Sequence, residues 1–91
     1  MPERQIRWSD YMLYRMKERG FESGKLEQIL LHSTERYQDT ETGRTIVAGR
    51  HDEVLVLIPI EMDGTTTVPV TVHVTTRQQI RFRLRTGRFR V

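Results

Sequence analysis

Cysteine is absent from this 91-residue chain. That excludes a disulfide framework, a thiol nucleophile and a thiolate zinc site, and it suits the cytosol. Long apolar runs are absent too: the longest, VLVLIPI at 54–60, is far too short to span a bilayer. Met1 to Ser9 is polar and carries no signal-peptide pattern, so a cytoplasmic protein without membrane attachment is expected. There is no P-loop, nucleophile elbow, dinucleotide fingerprint or HExxH motif. His32, His51 and His73 share no metal-ligand spacing, so neither a metal nor a cofactor is implied. Lysine is scarce. Of fifteen basic residues only Lys17 and Lys25 are lysines, and an arginine excess favours planar, two-pronged contacts to phosphate or carboxylate.

What is present is a strong asymmetry of charge. Residues 1–63 hold all twelve acids against nine Lys and Arg, a net of −3, whereas residues 64–91 hold six arginines and no acid, a net of +6. A basic end beside a mildly acidic body points to an anionic partner, either nucleic acid or an acidic protein segment. The plain alternative is a solvated surface. No repeat or linker divides the chain, so residues 1–91 are one domain, small but able to close a core without staples.

Periodicity supplies the fold class. Gln5–Trp8 reads as a short strand with Ile6 and Trp8 on one face. Ser9 is a good N-cap, and DYMLYRMKER runs unbroken to Gly20, with Met12, Leu13 and Met16 as its apolar stripe. Ser23 is placed to cap a second helix, GKLEQILLHS, where Leu26, Ile29 and Leu30 recur at helical spacing and His32 serves the C-terminal dipole. ERYQDTETGRTIVAGRH reads as two strands around a turn near 39–43, EVLVLIPIE as a buried central strand, and MDGT as a turn. TTVPVTVHVT then alternates, placing Val68, Val70, Val72 and Val74 on one face and His73 on the other. The expected architecture is α+β, in the order β-α-α-β-β-β-β plus a tail. The helical hairpin packs on one face of an antiparallel sheet above the four valines, and the other face is open and polar.

The tail RQQIRFRLRTGRFRV admits two readings. As a strand it puts Ile80, Phe82 and Leu84 inward and Arg81, Arg83 and Arg85 outward. As a helix it has Thr76 as N-cap, Gln79 as the capping-box partner and Gly87 as the residue after the C-cap. Arg77, Arg81, Arg85 and Arg88 then form one stripe, with Arg83 off it. Start and stop signals are both present, which favours a short C-terminal helix.

Candidate chemistry gathers on the face opposite the valines. His73 there, joined by Tyr37 and by His51, would supply acid–base groups at an RNA phosphodiester, with Arg77, Arg81, Arg85 and Arg88 holding phosphates. Phosphate binding without catalysis needs only the arginines.

IRWSDYMLYRMKERGF resembles the opening of a family of small bacterial proteins of unknown function related to the RelE/ParE toxin superfamily. Arg15, Met16, Arg19, Gly20 and Phe21 match the family's R-M-x-x-R-G-F core, DTETGRTIVAG its turn and following strand, and PVTVH its late element with Thr71 and His73. TTRQQIRFRLRTGRF is similar to the ending of a mainly cyanobacterial branch. One departure stands out: the family's histidine on the first helix falls at Tyr11. The resemblance implies a RelE/ParE-like fold and a toxin of a toxin–antitoxin pair. Such a toxin acts as an endoribonuclease on mRNA, including ribosome-associated mRNA, and is masked by a cognate antitoxin. Fold likeness alone does not carry activity. The alternative is a non-catalytic module that receives an acidic protein segment or nucleic acid.

Overall fold

The computed structural model describes residues 5–91. In chain order the elements are β1 (Gln5–Ile6), α1 (Asp10–Arg19), α2 (Ser23–His32), β2 (Arg36–Asp39), β3 (Thr45–His51), β4 (Val54–Asp63), β5 (Thr66–Pro69), β6 (His73–Val74), α3 (Arg77–Arg85) and β7 (Phe89–Arg90). The fold is α+β, with an open, mostly antiparallel sheet in the order β1-β5-β4-β3-β2-β7. β1 runs parallel to β5, and β6 continues the β5 side of β4. Among the described residues no helix is long and apolar enough to cross a membrane.

Local signals account for the helical hairpin. The Ser9 side chain accepts the Met12 N–H at 3.1 Å, and Gly20 closes α1 in the left-handed region at φ 74°. Such a turn suits glycine, because a Cβ there meets the following carbonyl. α2 begins differently from expectation. Its N-cap is Glu22, which offers no side-chain cap, and Ser23 is already the first helical residue. The Glu22 N–H instead donates to His51 Nε2 at 2.9 Å, so a residue from β3 serves the helix start.

Both faces of β4 are buried, and its side chains alternate between two cores. Val56, Ile58 and Ile60 join Val47 and Val72 beneath Met12, Met16, Leu26, Ile29 and Leu30 of the hairpin, with Ile6, Trp8 and Phe21 at the margin. Leu13, expected in the stripe, is 46% exposed, because Met12 and Met16 set the buried direction of α1 and Leu13 projects to its side. On the other face Leu55 and Leu57 join Ile46, Ala48, Ile80 and Phe89, with Tyr37 and Leu84 packed against them. The second face is therefore not open and polar. α3 and β7 fold back over it, because Ile80, Leu84 and Phe89 are apolar surface that water disfavours, each worth about 1.5–3 kcal/mol when fully buried.

The valine-rich stretch departs most from expectation. Ile60 faces Pro69 and Pro59 accepts from the Val70 N–H, but farther along Leu57 faces His73 and Val56 faces Val74. Between these pairs one β4 residue, Ile58, stands against two, Thr71 and Val72. That is a β-bulge, and it shifts the phase of the strand. Thr67 and Pro69 are buried before it and Val72 after it, whereas Val68 and Val70 are only half-buried and Val74 is 53% exposed at the edge. The four valines do not share one buried face.

The C-terminal segment is a helix. The Thr76 side chain accepts the Gln79 N–H at 3.1 Å, and Gly87 follows at φ 81°. The reciprocal half of the capping box is replaced: Gln79 Oε1 accepts from the Thr75 hydroxyl at 3.0 Å.

Where α2 crosses β3, Gly49 removes a side chain the packing has no room for. A Cβ there would lie 2.6 Å from Ile29 Cγ2 and 3.0 Å from Cγ1. Gly49→Ala is expected to destabilise the fold by about 1–3 kcal/mol through overpacking. Combined with Ile29→Ala, which removes both atoms, it should cost clearly less than the sum of the single changes. Urea midpoints of the four proteins check this, and strict additivity would refute the contact.

Candidate nucleic-acid interface

The expected row of phosphate-binding arginines divides by partner. Arg77 is engaged by Glu35, whose Oε2 also accepts the Tyr37 hydroxyl at 2.6 Å. Arg88 lies beyond the helix, past the Gly87 reversal, so the stripe ends at Arg85. Its Nε and Nη2 reach the two oxygens of buried Asp39 at 2.8 and 3.1 Å, and its Nη1 lies 2.9 Å from Glu41. Arg81 and Arg85, both exposed, have no acidic partner among the described residues. Helical geometry sends Arg83 to the other side of α3, where its guanidinium carbon stands 5.3 Å from the centroid of the Phe89 ring. Phe82, between the two sides, is 60% exposed.

Two adjoining hollows flank α3. One, of about 740 Å³, runs along its outer side past Gln78, Phe82 and Arg85. The second, of about 420 Å³, lies between α3 and the sheet, with His73 and Thr71 on one wall and Ile46, Leu57 and Pro59 on the floor. Gln79, Arg83 and Arg88 line both. The bulge makes the second hollow possible, because it turns His73 to the α3 face opposite Leu57.

Partial desolvation lowers the pKa of His73, and the positive charges of Arg15, Arg83 and Arg19 lower it further. A neutral imidazole at pH 7 beside cations suits a proton acceptor next to an anion. Arg15 and Arg19 come from α1. Among the described residues their only ion pairs are loose, at 4.0 and 3.9 Å to the same Glu18 oxygen, and Arg15 Nε is buried with no hydrogen-bond partner. α1 and α3 thus converge their charge on His73 from two elements far apart in sequence.

The other two candidate catalytic residues are placed otherwise. Tyr37 shares the α3 face, but its ring stacks on Phe89 at 5.5 Å and its hydroxyl is committed to Glu35. Burial first, and then the Glu35 carboxylate, push that hydroxyl up to about 12. His51 pairs with Val54 on the hairpin side of the sheet, is 6% exposed, and packs edge-on against Phe21 at 5.0 Å. Its Nε2 serves α2, on the face opposite to His73. Tyr11, at the position of the family's helix-borne histidine, is 58% exposed on α1.

Sequence reasoning did not single out Arg15 or Phe82 as site residues; it gave Arg83 a phosphate role only in the strand reading, and it set Thr71 beside His73 only through the family resemblance. Helical spacing alone offered a signal for Phe82 and Arg83, since both lie off the apolar Ile80–Leu84 line. No protein-family model matches the chain, and no curated protein or solved structure matches it significantly.

The Asp39–Arg88 pair ties β7 and the end of α3 to the β2–β3 turn. Hydrogen bonds from Arg88 hold the Asp39 carboxyl down at about 2, against an ordinary 3.8, with help from the Glu41 and Thr42 N–H groups and against the cost of burial. The folded pKa lies below the unfolded one, so this stabilisation is complete above pH 3.8 and is lost as pH falls through about 2. At about 1.4 kcal/mol per unit it amounts to at most about 2 kcal/mol, because the Arg88 end is partly screened by solvent. Asp39→Asn should cost about that much at pH 7 and progressively less below pH 4, measured by denaturant unfolding across pH. A cost that does not change with pH would show that the pair is not electrostatic.

Proposed function

We propose that the protein binds single-stranded RNA across α3 and into the cleft beneath it, and acts on that strand as a small basic toxin of the RelE/ParE-like kind. One observation carries the reading: Arg81 and Arg85, without an acidic partner among the described residues, lie along α3, and Arg85, the exposed Phe82 and the ring-held Arg83 line the hollow that adjoins the cleft beside His73. Cations spaced along an exposed aromatic are what a flexible polyanion with stackable bases requires. The succession of a short strand, a helical hairpin and a run of mainly antiparallel strands supports the RelE/ParE-like reading. α3 across the second face adds to it a wall that the expected open sheet lacked.

Cleavage would rest on His73 alone among the three candidates. As base, its imidazole removes the proton of a 2′-hydroxyl, and that oxygen attacks the adjacent phosphorus. The P–O5′ bond then breaks, and the 5′ oxygen leaves with a proton from water, giving a 2′,3′-cyclic phosphate. Arg83, which lines the cleft with His73, would stabilise the charge that builds on the phosphorane. A second reading, a non-catalytic module for nucleic acid or an acidic segment such as an antitoxin tail, is favoured by the commitment of Tyr37 and His51 to the fold. An acidic segment would use the same unpaired arginines.

Three phosphate contacts predict a log–log salt slope of about −2 on single strands, at roughly −0.7 per contact. Arg81→Ala and Arg85→Ala should each remove about 0.7 from that slope without loss of stability, as read by anisotropy of labelled oligoribonucleotides. Absence of binding at low salt would reject the reading.

His73→Ala should retain binding and lose cleavage. Wild-type cleavage should rise with pH through a midpoint below 6.5, the ordinary imidazole value. Cleavage that survives His73→Ala would remove His73 from the reaction, and absence of cleavage by the wild-type protein would leave the binding module.

A further inference from the structure

The cleft beneath α3 contains more than a phosphate site needs. Its floor is apolar, formed by Ile46, Leu57, Pro59 and Val70, and phosphate gains nothing from such a surface. At about 420 Å³ it falls within the range of small-ligand pockets, about 300–1,000 Å³. Thr71, the residue pushed out by the bulge, lines it, and its Oγ1 is buried with no hydrogen-bond partner among the described residues. A buried hydroxyl without a partner is uncommon, and a ligand able to satisfy it gains accordingly.

The remaining polar groups have a definite character. Gln79 Oε1 is occupied by Thr75, which leaves the Gln79 amide nitrogen as a donor. Asp39 also lines the cleft, but both its oxygens are held by Arg88. Arg44 is held by Glu61 at 2.8 Å. Arg83 lines the cleft with its guanidinium carbon 5.3 Å from the Phe89 centroid, and a guanidinium is a planar cation on which a flat group can stack. The pocket therefore offers a planar stacking surface, an apolar floor, a hydroxyl that donates or accepts, and an amide donor. A flat, uncharged heterocycle with edge acceptors, attached to an anion, matches all four.

We infer that the cleft is a nucleobase pocket, in which Thr71 and Gln79 read the edge of one base while Arg83 stacks on it. The inference deepens the RNA-binding reading and rests on it for the strand that carries the base. It makes Thr71 a specificity residue, set in place by the bulge and separate from the phosphate-holding Arg81 and Arg85. The consequence is a base preference at one nucleotide, over and above the salt-dependent affinity that any sequence receives.

The test uses the full chain and two kinds of probe. Adenosine, guanosine, cytidine and uridine, which carry no phosphate, are titrated while the methyl signals of Ile46, Leu57 and Val70 are followed by NMR. One nucleoside should bind at least about tenfold more tightly than the weakest, as expected when a hydrogen-bonding group is matched. Thr71→Val, close in shape but without the hydroxyl, should reduce the preference to within about twofold, and Thr71→Ser should restore it. Oligoribonucleotides with one abasic position are then compared with intact ones, and the preferred base should restore at least about tenfold in affinity at an unchanged salt slope. Equal effects of all four nucleosides, shifts away from the cleft, or a preference that survives Thr71→Val would overturn the inference. If oligonucleotides bind but abasic and intact strands bind alike, the base pocket fails and the RNA-binding reading stands. If nucleosides bind selectively while no oligonucleotide binds, the pocket stands and the RNA-binding reading fails.

Discussion

An added residue in a strand sends every later side chain to the other face, and the site depends on one such addition. Thr71 and Val72 share the place opposite Ile58. Without the extra residue, the register of β5 would put His73 on the hairpin side, toward an apolar core where burying an imidazole costs free energy unless it is hydrogen-bonded. With it, Val72 completes the hairpin core, and His73 and Thr71 reach the face that α3 covers. Val68 and Val70, which precede the bulge, keep the β5 register and lie on the α3 side, where Val70 is pocket floor rather than core. A local defect in pairing thus positions chemistry that the regular ladder would have buried.

The basic C-terminus is sorted by the acids of the body rather than left as a uniform charged surface. Glu35 and Asp39 take Arg77 and Arg88, one at each end of the α3–β7 segment, and fix it to the sheet. Between these two ties lie Arg81, Arg83 and Arg85, which have no carboxylate partner among the described residues. Charge near the ends serves attachment, and charge in the middle remains for a ligand. The formal excess of +3 describes neither group. What matters is which guanidinium groups already have a partner at short range.

Much of the fold was legible because its signals are local. Ser9 and Gly20 bound α1, Thr76 and Gly87 bound α3, and the 3.6-residue spacing of Leu26, Ile29 and Leu30 marks the buried side of α2. Capping needs only residues a few positions apart, so sequence carries it. The bulge was not legible. VPVTVHV alternates without fault, and the interruption is set by pairing with β4, a contact no single strand encodes. Pro69, two residues before Thr71, was the nearest hint. The candidate site was legible in part for the same reason. His73 was placed on the face it occupies, but from a phase that the strand does not keep. Tyr37 and His51 were selected by residue type, and the partners that occupy them, Glu35 and the Glu22 N–H, are visible only once the chain has folded. Arg15 reaches His73 across more than fifty residues of sequence.

The α3–β7 segment comes after the rest of the sheet in the chain, and the ties that hold it reach back to Glu35 and Asp39. Synthesis delivers a chain from its N-terminus, and early portions settle before late ones exist. The hairpin core draws on residues up to Val72, so it can form before the α3–β7 segment has emerged. Ile46, Ala48, Leu55 and Leu57 must wait for Ile80 and Phe89. Until those arrive the second face is bare sheet, and neither the cleft nor the path across α3 exists. The nascent protein is therefore without this surface until α3 and β7 have been made.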